Sequence, residues 1–150
     1  MSELRDLYQE VILDHWKRPR NFGKSPLSNR RANGHNPLCG DKLTVYLLVE
    51  DGKVEEVTFE GAGCAISVAS ASLMTEMLKG LSVADARALF ERFQGAITDS
   101  GDGGGSLEDL DKLAVLSGVK EFPVRVKCAT LAWHTFKAAL DDSRETVVTE

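Results

Sequence analysis

The chain has 150 residues, 43% of them apolar, with 18 Lys and Arg against 23 Asp and Glu for a net charge of −5. That is the profile of one ordinary globular domain over residues 1–150, long enough to hold a core without disulfide staples. No apolar run approaches the ~18 residues that span a bilayer, and Met1-Ser-Glu-Leu-Arg-Asp6 lacks the basic-then-apolar layout of a signal peptide, so neither a membrane association nor secretion is expected. Three cysteines, an odd number at wide spacing, make a poor disulfide framework and suit reduced thiols in the cytoplasm.

In chain order, Leu4, Leu7, Tyr8, Val11, Ile12 and Trp16 recur at helical spacing and Pro19 ends the pattern, which predicts an amphipathic helix with His15 packed near its end. Between His15 and Gly40 there are six basic residues, Lys17, Arg18, Arg20, Lys24, Arg30 and Arg31, no acidic ones and many turn formers. This segment reads as a basic loop suited to an acidic protein surface. Nucleic acid fits it poorly, because the patch carries few aromatics and the chain as a whole is acidic. Leu43–Glu50 and Val54–Glu60 are β-branched and aromatic, and they flank Asp51-Gly52, a hairpin signal. Gly61 and Gly63 break the second strand, and small and apolar residues from Cys64 to Leu81 follow a closely packing helical face. Ser82 with Asp85, and Ser106 with Asp109, predict two capped helices, the first running through Phe93. Pro123 opens a last helix carrying Ala129, Trp133, Phe136 and Leu140, and 143–150 is expected to be a mobile polar tail. Helix, hairpin and several helices predict an α+β fold, with helices on one face of a small antiparallel sheet.

On this map Cys39 enters the first strand, Cys64 starts the long helix and Cys128 lies near the start of the last one. A helix amino terminus favours thiolate over thiol, which makes Cys64 and Cys128 candidate ligands. Asp41, two positions after Cys39 across Gly40, can reach the same point. Three thiolates and a carboxylate supply the four ligands of tetrahedral Zn²⁺. Taken singly, each cysteine reads equally as a small buried hydrophobe and Asp41 as a turn residue. His35 is either a substitute ligand or part of a turn, and His134, six positions past Cys128, faces away from it on a helix of 3.6 residues per turn. Asp99–Ser106 resembles a calcium loop but has glycines where oxygen side chains are needed, and it lacks the Lys-Ser/Thr of a phosphate loop.

Three motifs carry a resemblance: Asn36-Pro-Leu-Cys39-Gly-Asp41, then Phe59-Glu-Gly-Ala-Gly-Cys64-Ala-Ile-Ser67, then Val126-Lys-Cys128-Ala-Thr-Leu-Ala-Trp133. Together with His15–Gly23 they are similar, in order and over almost the whole chain, to the IscU/NifU-like family of iron–sulfur assembly proteins. The resemblance implies a three-stranded sheet, a metal site from Cys39, Asp41, Cys64 and Cys128, and partnership with a pyridoxal-phosphate cysteine desulfurase. Two departures point within the family. Lys127 stands where the scaffold branch has a His before its third cysteine, and Glu121-Phe-Pro-Val-Arg125 stands where that branch has a Leu-Pro-Pro-Val-Lys chaperone-docking motif. The stretch Val83–Gly105 resembles the insertion of the SufU-type branch.

That branch implies a zinc-dependent sulfurtransferase, which accepts persulfide sulfur on Cys39 and passes it to a downstream assembly complex. The resemblance further implies that a desulfurase ligand replaces Cys39 on zinc, freeing its thiolate. Arg125 and Lys127 are then either positive charge beside the persulfide or ordinary solvated charges. The alternatives are an iron–sulfur cluster scaffold using Cys39, Cys64 and Cys128, and a zinc module for protein docking.

Overall fold

A computed structural model describes residues 2–98, 110–143 and 145–149. Helix α1 (Ser2–Lys17) leads into strands β1 (Arg30–Asn36), β2 (Asp41–Glu50) and β3 (Lys53–Ala62). These are followed by α2 (Ala65–Leu78), α3 (Val83–Thr98), a 3-10 helix (Asp111–Glu121), α4 (Pro123–Leu140) and β4 (Val147–Val148). The strands lie in the order β3-β2-β1-β4; β1, β2 and β3 are antiparallel neighbours and β4 runs parallel to β1. The α+β class is as expected, with a fourth strand added to the expected three.

The β2–β3 hairpin follows from its local sequence. Asp51 (φ 52°) and Gly52 (φ 74°) both take the left-handed conformation that a two-residue hairpin turn requires. Leu43, Val45 and Leu47 of β2, with Val57 and Phe59 of β3, form the buried face against which the helices pack. Strand β1 is different. Its inward residues are Ala32, Gly34 and Asn36, too small or too polar to give an apolar alternation, and the stretch reads from sequence as loop. Small size is what this position requires: a Cβ on Gly34 would lie 2.1 Å from Thr135 Oγ1 of α4. The segment 143–150, expected to be a mobile tail, contains β4, which pairs Gly34 with Val147 and His35 with Val148; two residues among polar neighbours give no periodic signal.

Helix α2 is buried all round from Ser67 to Thr75, as befits a central helix rather than an amphipathic one. Its hydroxyls fasten its neighbours. Ser70 donates to Ala129 O (2.6 Å) and accepts from Trp133 Nε1 (3.1 Å), while Ser72 contacts His15 Nδ1 (2.7 Å) and accepts from Arg20 N (2.9 Å). Trp133 also stacks on Phe93 of α3 at 4.4 Å between ring centres.

The Ser82 cap is present, Asp85 N donating to Ser82 Oγ (3.0 Å), and α3 runs on past Phe93 to Thr98. The Ser106–Asp109 cap and the loop 99–106 lie outside the described residues. The helix after them is 3-10, and Leu110, Leu113, Leu116 and Val119 are buried at every third position, the period of that helix. The basic segment divides: Arg30 donates to Leu140 O (2.7 Å) and the half-buried Arg20 pairs with Asp14 (2.6 Å), whereas Arg18, also paired with Asp14 (2.9 Å), is exposed, as are Lys17, Lys24 and Arg31.

Candidate metal centre

The β1–β2 turn, residues 37–40, carries Cys39, and Gly40 adopts φ 72° to close it. Asn36 and Asp41 sit directly opposite each other where the two strands meet. Asp41 is fully buried because β3 and α2 close over it, and they can do so only through glycine. A Cβ on Gly63 would come 2.4 Å from Asp41 Oδ1, and one on Gly61 would come 2.1 Å from Lys42 O. This close approach lets Cys64 N, at the amino end of α2, donate to Asp41 Oδ1 (2.8 Å). A carboxylate at that end of a helix is also favoured by the helix dipole, so Asp41 helps to cap α2 as well as facing the thiols.

Cys128 Sγ lies 3.0 Å from Cys39 Sγ, and Cys64 Sγ lies 4.0 Å from Asp41 Oδ2. Ligand atoms of Cys39, Asp41 and Cys128 all fall within 4.8 Å of one another. The edges of a tetrahedron of 2.3 Å Zn–S bonds are about 3.8 Å, so the spacing and the sulfur-rich donor set fit zinc with small adjustments. Cys39 and Cys64 are half-buried and Cys128 is buried. Burial pushes the Cys128 thiol up from its ordinary value, and its hydrogen bond with Cys39 adds to this. The thiols, Cys64 foremost, hold the exposed Arg125 guanidinium above its usual range.

One expectation needs correction. Cys128 is the sixth residue of α4, beyond the first turn where a helix dipole acts, so its ionisation would have to come from a cation or a donor. The histidines fall outside the cluster. His35 lines a groove with Phe22, Lys42, Thr44 and Glu60, His134 packs edge-on to Phe90 (5.5 Å), and His15 is engaged with Ser72. Asn36, which carries no ligand signal of its own in the sequence, is fully buried and donates through Nδ2 to Cys128 Sγ (3.5 Å). An asparagine before a proline reads as a turn former, and nothing local signals a partner 92 positions away. Leu38, Phe122 and Val124 leave exposed apolar surface on the Cys39 turn and the first turn of α4.

Comparison with known proteins places this arrangement. The model of the NifU-like N terminal domain matches residues 7–149. The chain is 39% identical to the zinc-dependent sulfurtransferase SufU of Bacillus subtilis, covering 91% of this chain and 90% of that one. It is 36% identical to the iron–sulfur cluster assembly scaffold protein IscU of Streptococcus pyogenes (95% and 88%) and 40% identical to that of Thermotoga maritima (89% and 92%). Among solved structures, FiSufU of Fervidobacterium Islandicum AW-1 superposes with a TM-score of 0.80 at 33% identity, covering 87% of this chain and 94% of its own. The NifU-like protein of Brucella abortus, at 22% identity and a TM-score of 0.76 over 93% and 95% of the two chains, shares the fold. The chain belongs to the NifU-like N-terminal domain family, with IscU and SufU proteins of iron–sulfur cluster assembly as its relatives.

Proposed function

We propose that this protein is a zinc-dependent sulfurtransferase of iron–sulfur cluster assembly, with Cys39 as the sulfur acceptor and Cys39, Asp41, Cys64 and Cys128 as the zinc ligands. The observation that carries this reading is the pairing of a half-buried, turn-borne thiol with a buried, helix-held one 3.0 Å away, grouped with Asp41, against whose Oδ2 Cys64 Sγ lies at 4.0 Å. Bound zinc would keep these thiols ionised and, being redox-inert, would not oxidise them.

The residues then divide the work. Cys64 and Cys128 stay on their helices, Asp41 keeps one oxygen on the α2 backbone, and Cys39 is the ligand whose departure disturbs least. Once free, the Cys39 thiolate attacks the terminal sulfur of a cysteine persulfide on a pyridoxal-phosphate desulfurase. The new bond joins Cys39 Sγ to that sulfur, the donor's S–S bond breaks, and the donor cysteine leaves as thiolate, with no net oxidation. The exposed Arg125, whose guanidinium the thiols hold above its usual range, would offset the charge of the resulting persulfide. Passage to a downstream assembly complex in the cytoplasm completes the reading.

An iron–sulfur scaffold is the second reading, favoured by the names of the Streptococcus and Thermotoga relatives. Here the cluster is cargo on the three cysteines. The experiment is metal analysis and a visible spectrum of protein purified anaerobically from its own host, followed by incubation with desulfurase and cysteine and peptide mass spectrometry. Stoichiometric zinc, no visible band and 32 mass units (one sulfur) on the Cys39 peptide are expected. Iron with a visible band supports the scaffold, and zinc without any stimulation of a desulfurase supports a docking module.

A further inference from the structure

We infer that Asn36 is a positioning residue that pins the Cys39 turn to Cys128 and marks Cys128 as the thiol that stays on the metal. The inference rests on reading Cys39, Asp41, Cys64 and Cys128 as one metal set. It is carried by the two ends of a single carboxamide. Asn36 Oδ1 accepts from Leu38 N (3.2 Å), which closes the first half of the turn that bears Cys39. Asn36 Nδ2 donates to Cys128 Sγ (3.5 Å), on a helix 92 positions further on.

The residue is fully buried, so water cannot replace either partner, and the strand register fixes it opposite Asp41. Its environment is held from outside as well. Thr149 N donates to the carbonyl of the preceding residue, His35 (3.1 Å), and Thr149 Oγ1 donates to Lys127 O (3.3 Å), beside Cys128.

The chemistry follows from the donor. An N–H bond to a thiolate stabilises its lone pairs, which lowers nucleophilicity and ties the sulfur in place; the residues that orient ligands tune metal centres in this way. Among the described residues no such donor meets Cys39 Sγ, whose recorded partner is Cys128 itself. Two adjacent thiols are thereby made unequal: one is buried and hydrogen-bonded by an amide, the other is half-buried and lacks that support. Asn36 thus decides which sulfur is released, and it does so without touching substrate.

Asn36→Asp separates the two functions, because it retains an oxygen for Leu38 N but removes the donor to Cys128. Asn36→Ala removes both. In the cobalt-substituted protein, the thiolate-to-metal absorption band should move to longer wavelength in both variants, since an unsupported sulfur holds its electrons less tightly. Zinc affinity should fall by roughly 10–100-fold. Iodoacetamide labelling of the zinc protein, mapped by peptide, should go to Cys39 in the parent and spread to Cys128 in Asn36→Asp. A readout without substitution guards against misfolding: in the ¹¹³Cd protein the Asn36 side-chain amide proton should show scalar coupling to cadmium through Cys128 Sγ. Full cadmium and cobalt binding with no such coupling, and with an unshifted band in Asn36→Asp, would overturn the role of Asn36 alone. Failure to bind either metal would overturn the metal set and this inference together.

Discussion

The seam around Ser72 and the thiol end of the sheet both bury polar groups, and they are completed in different ways. At the seam the chain supplies every partner: Ser72 Oγ meets His15 and Arg20 N, and Thr75 Oγ1 donates to Ser72 O (2.7 Å) and accepts from Asn21 Nδ2 (3.0 Å). At the thiol end, among the described residues, three sulfurs and a carboxylate meet one amide, one backbone N–H and one exposed guanidinium besides one another. Cys128 also meets Cys39 (3.0 Å) and Cys64 meets Asp41 (4.0 Å), contacts that need a proton on sulfur and are lost on ionisation, when the proposed cation would take the protons' place. Local saturation distinguishes a structural polar cluster from a functional one.

The sharpest way to break the comparison is to remove the cation. Chelation should lower the melting temperature by about 8–16 °C relative to protein at free zinc 1,000-fold above its Kd, from about 4 kcal/mol of binding linkage. Calorimetry with and without chelator checks this, and an unchanged transition would mean the thiol end is as self-sufficient as the seam. Cys64→Ser and Cys128→Ser should both abolish stoichiometric zinc by metal analysis. Cys39→Ser should retain zinc with lowered affinity while losing persulfide transfer altogether.

The seam should respond in the opposite manner. Ser72→Ala leaves His15 and Arg20 N without their buried partner and should cost about 1–3 kcal/mol in denaturant unfolding, with zinc content unchanged. The pH effect of the two buried histidines, His15 at the seam and His134 against Phe90, is smaller. Burial holds both His15 and His134 below the ordinary imidazole value, so the unfolded chain binds protons more readily than the folded one. Their contribution is therefore neutral well above 6.5 and increasingly destabilising as pH falls through 6.5 and below. Metal-stripped protein should show this decline in denaturant titrations, and His134→Gln should flatten it. Smallest of all, Arg18→Ala removes an exposed pair with Asp14 and should leave the melting temperature unmoved.

The elements that announced themselves in the sequence are those whose burial is apolar and periodic. Val45, Val57 and Phe59 alternate, and Trp133 and Phe136 recur at helical spacing, so the hairpin and α4 were legible. Strand β1 was not, because close packing under α4 selects Ala32 and Gly34 and erases the hydrophobic pattern. The cysteines and Asp41 were visible as residue types with the right chemistry. Their places at element ends suggested one ligand set and the family resemblance supported it, while no local rule brings positions 39 and 128 to 3.0 Å. Asn36 and Gly63 act through partners far away in the chain or through the absence of a side chain, and such roles leave no trace in a linear pattern.

The distance along the chain between Cys39 and Cys128 has a consequence for synthesis. Eighty-nine positions separate them. At about 5–20 residues per second a ribosome emits Cys39 and Asp41 on the order of 4–18 s before Cys128. During that interval β3 and α2, which close over Asp41, are already made, while Cys39 still lacks α4, the helix that carries its neighbouring thiol. On the proposed ligand set metal capture must await α4, which would put loading among the last events in the maturation of the molecule.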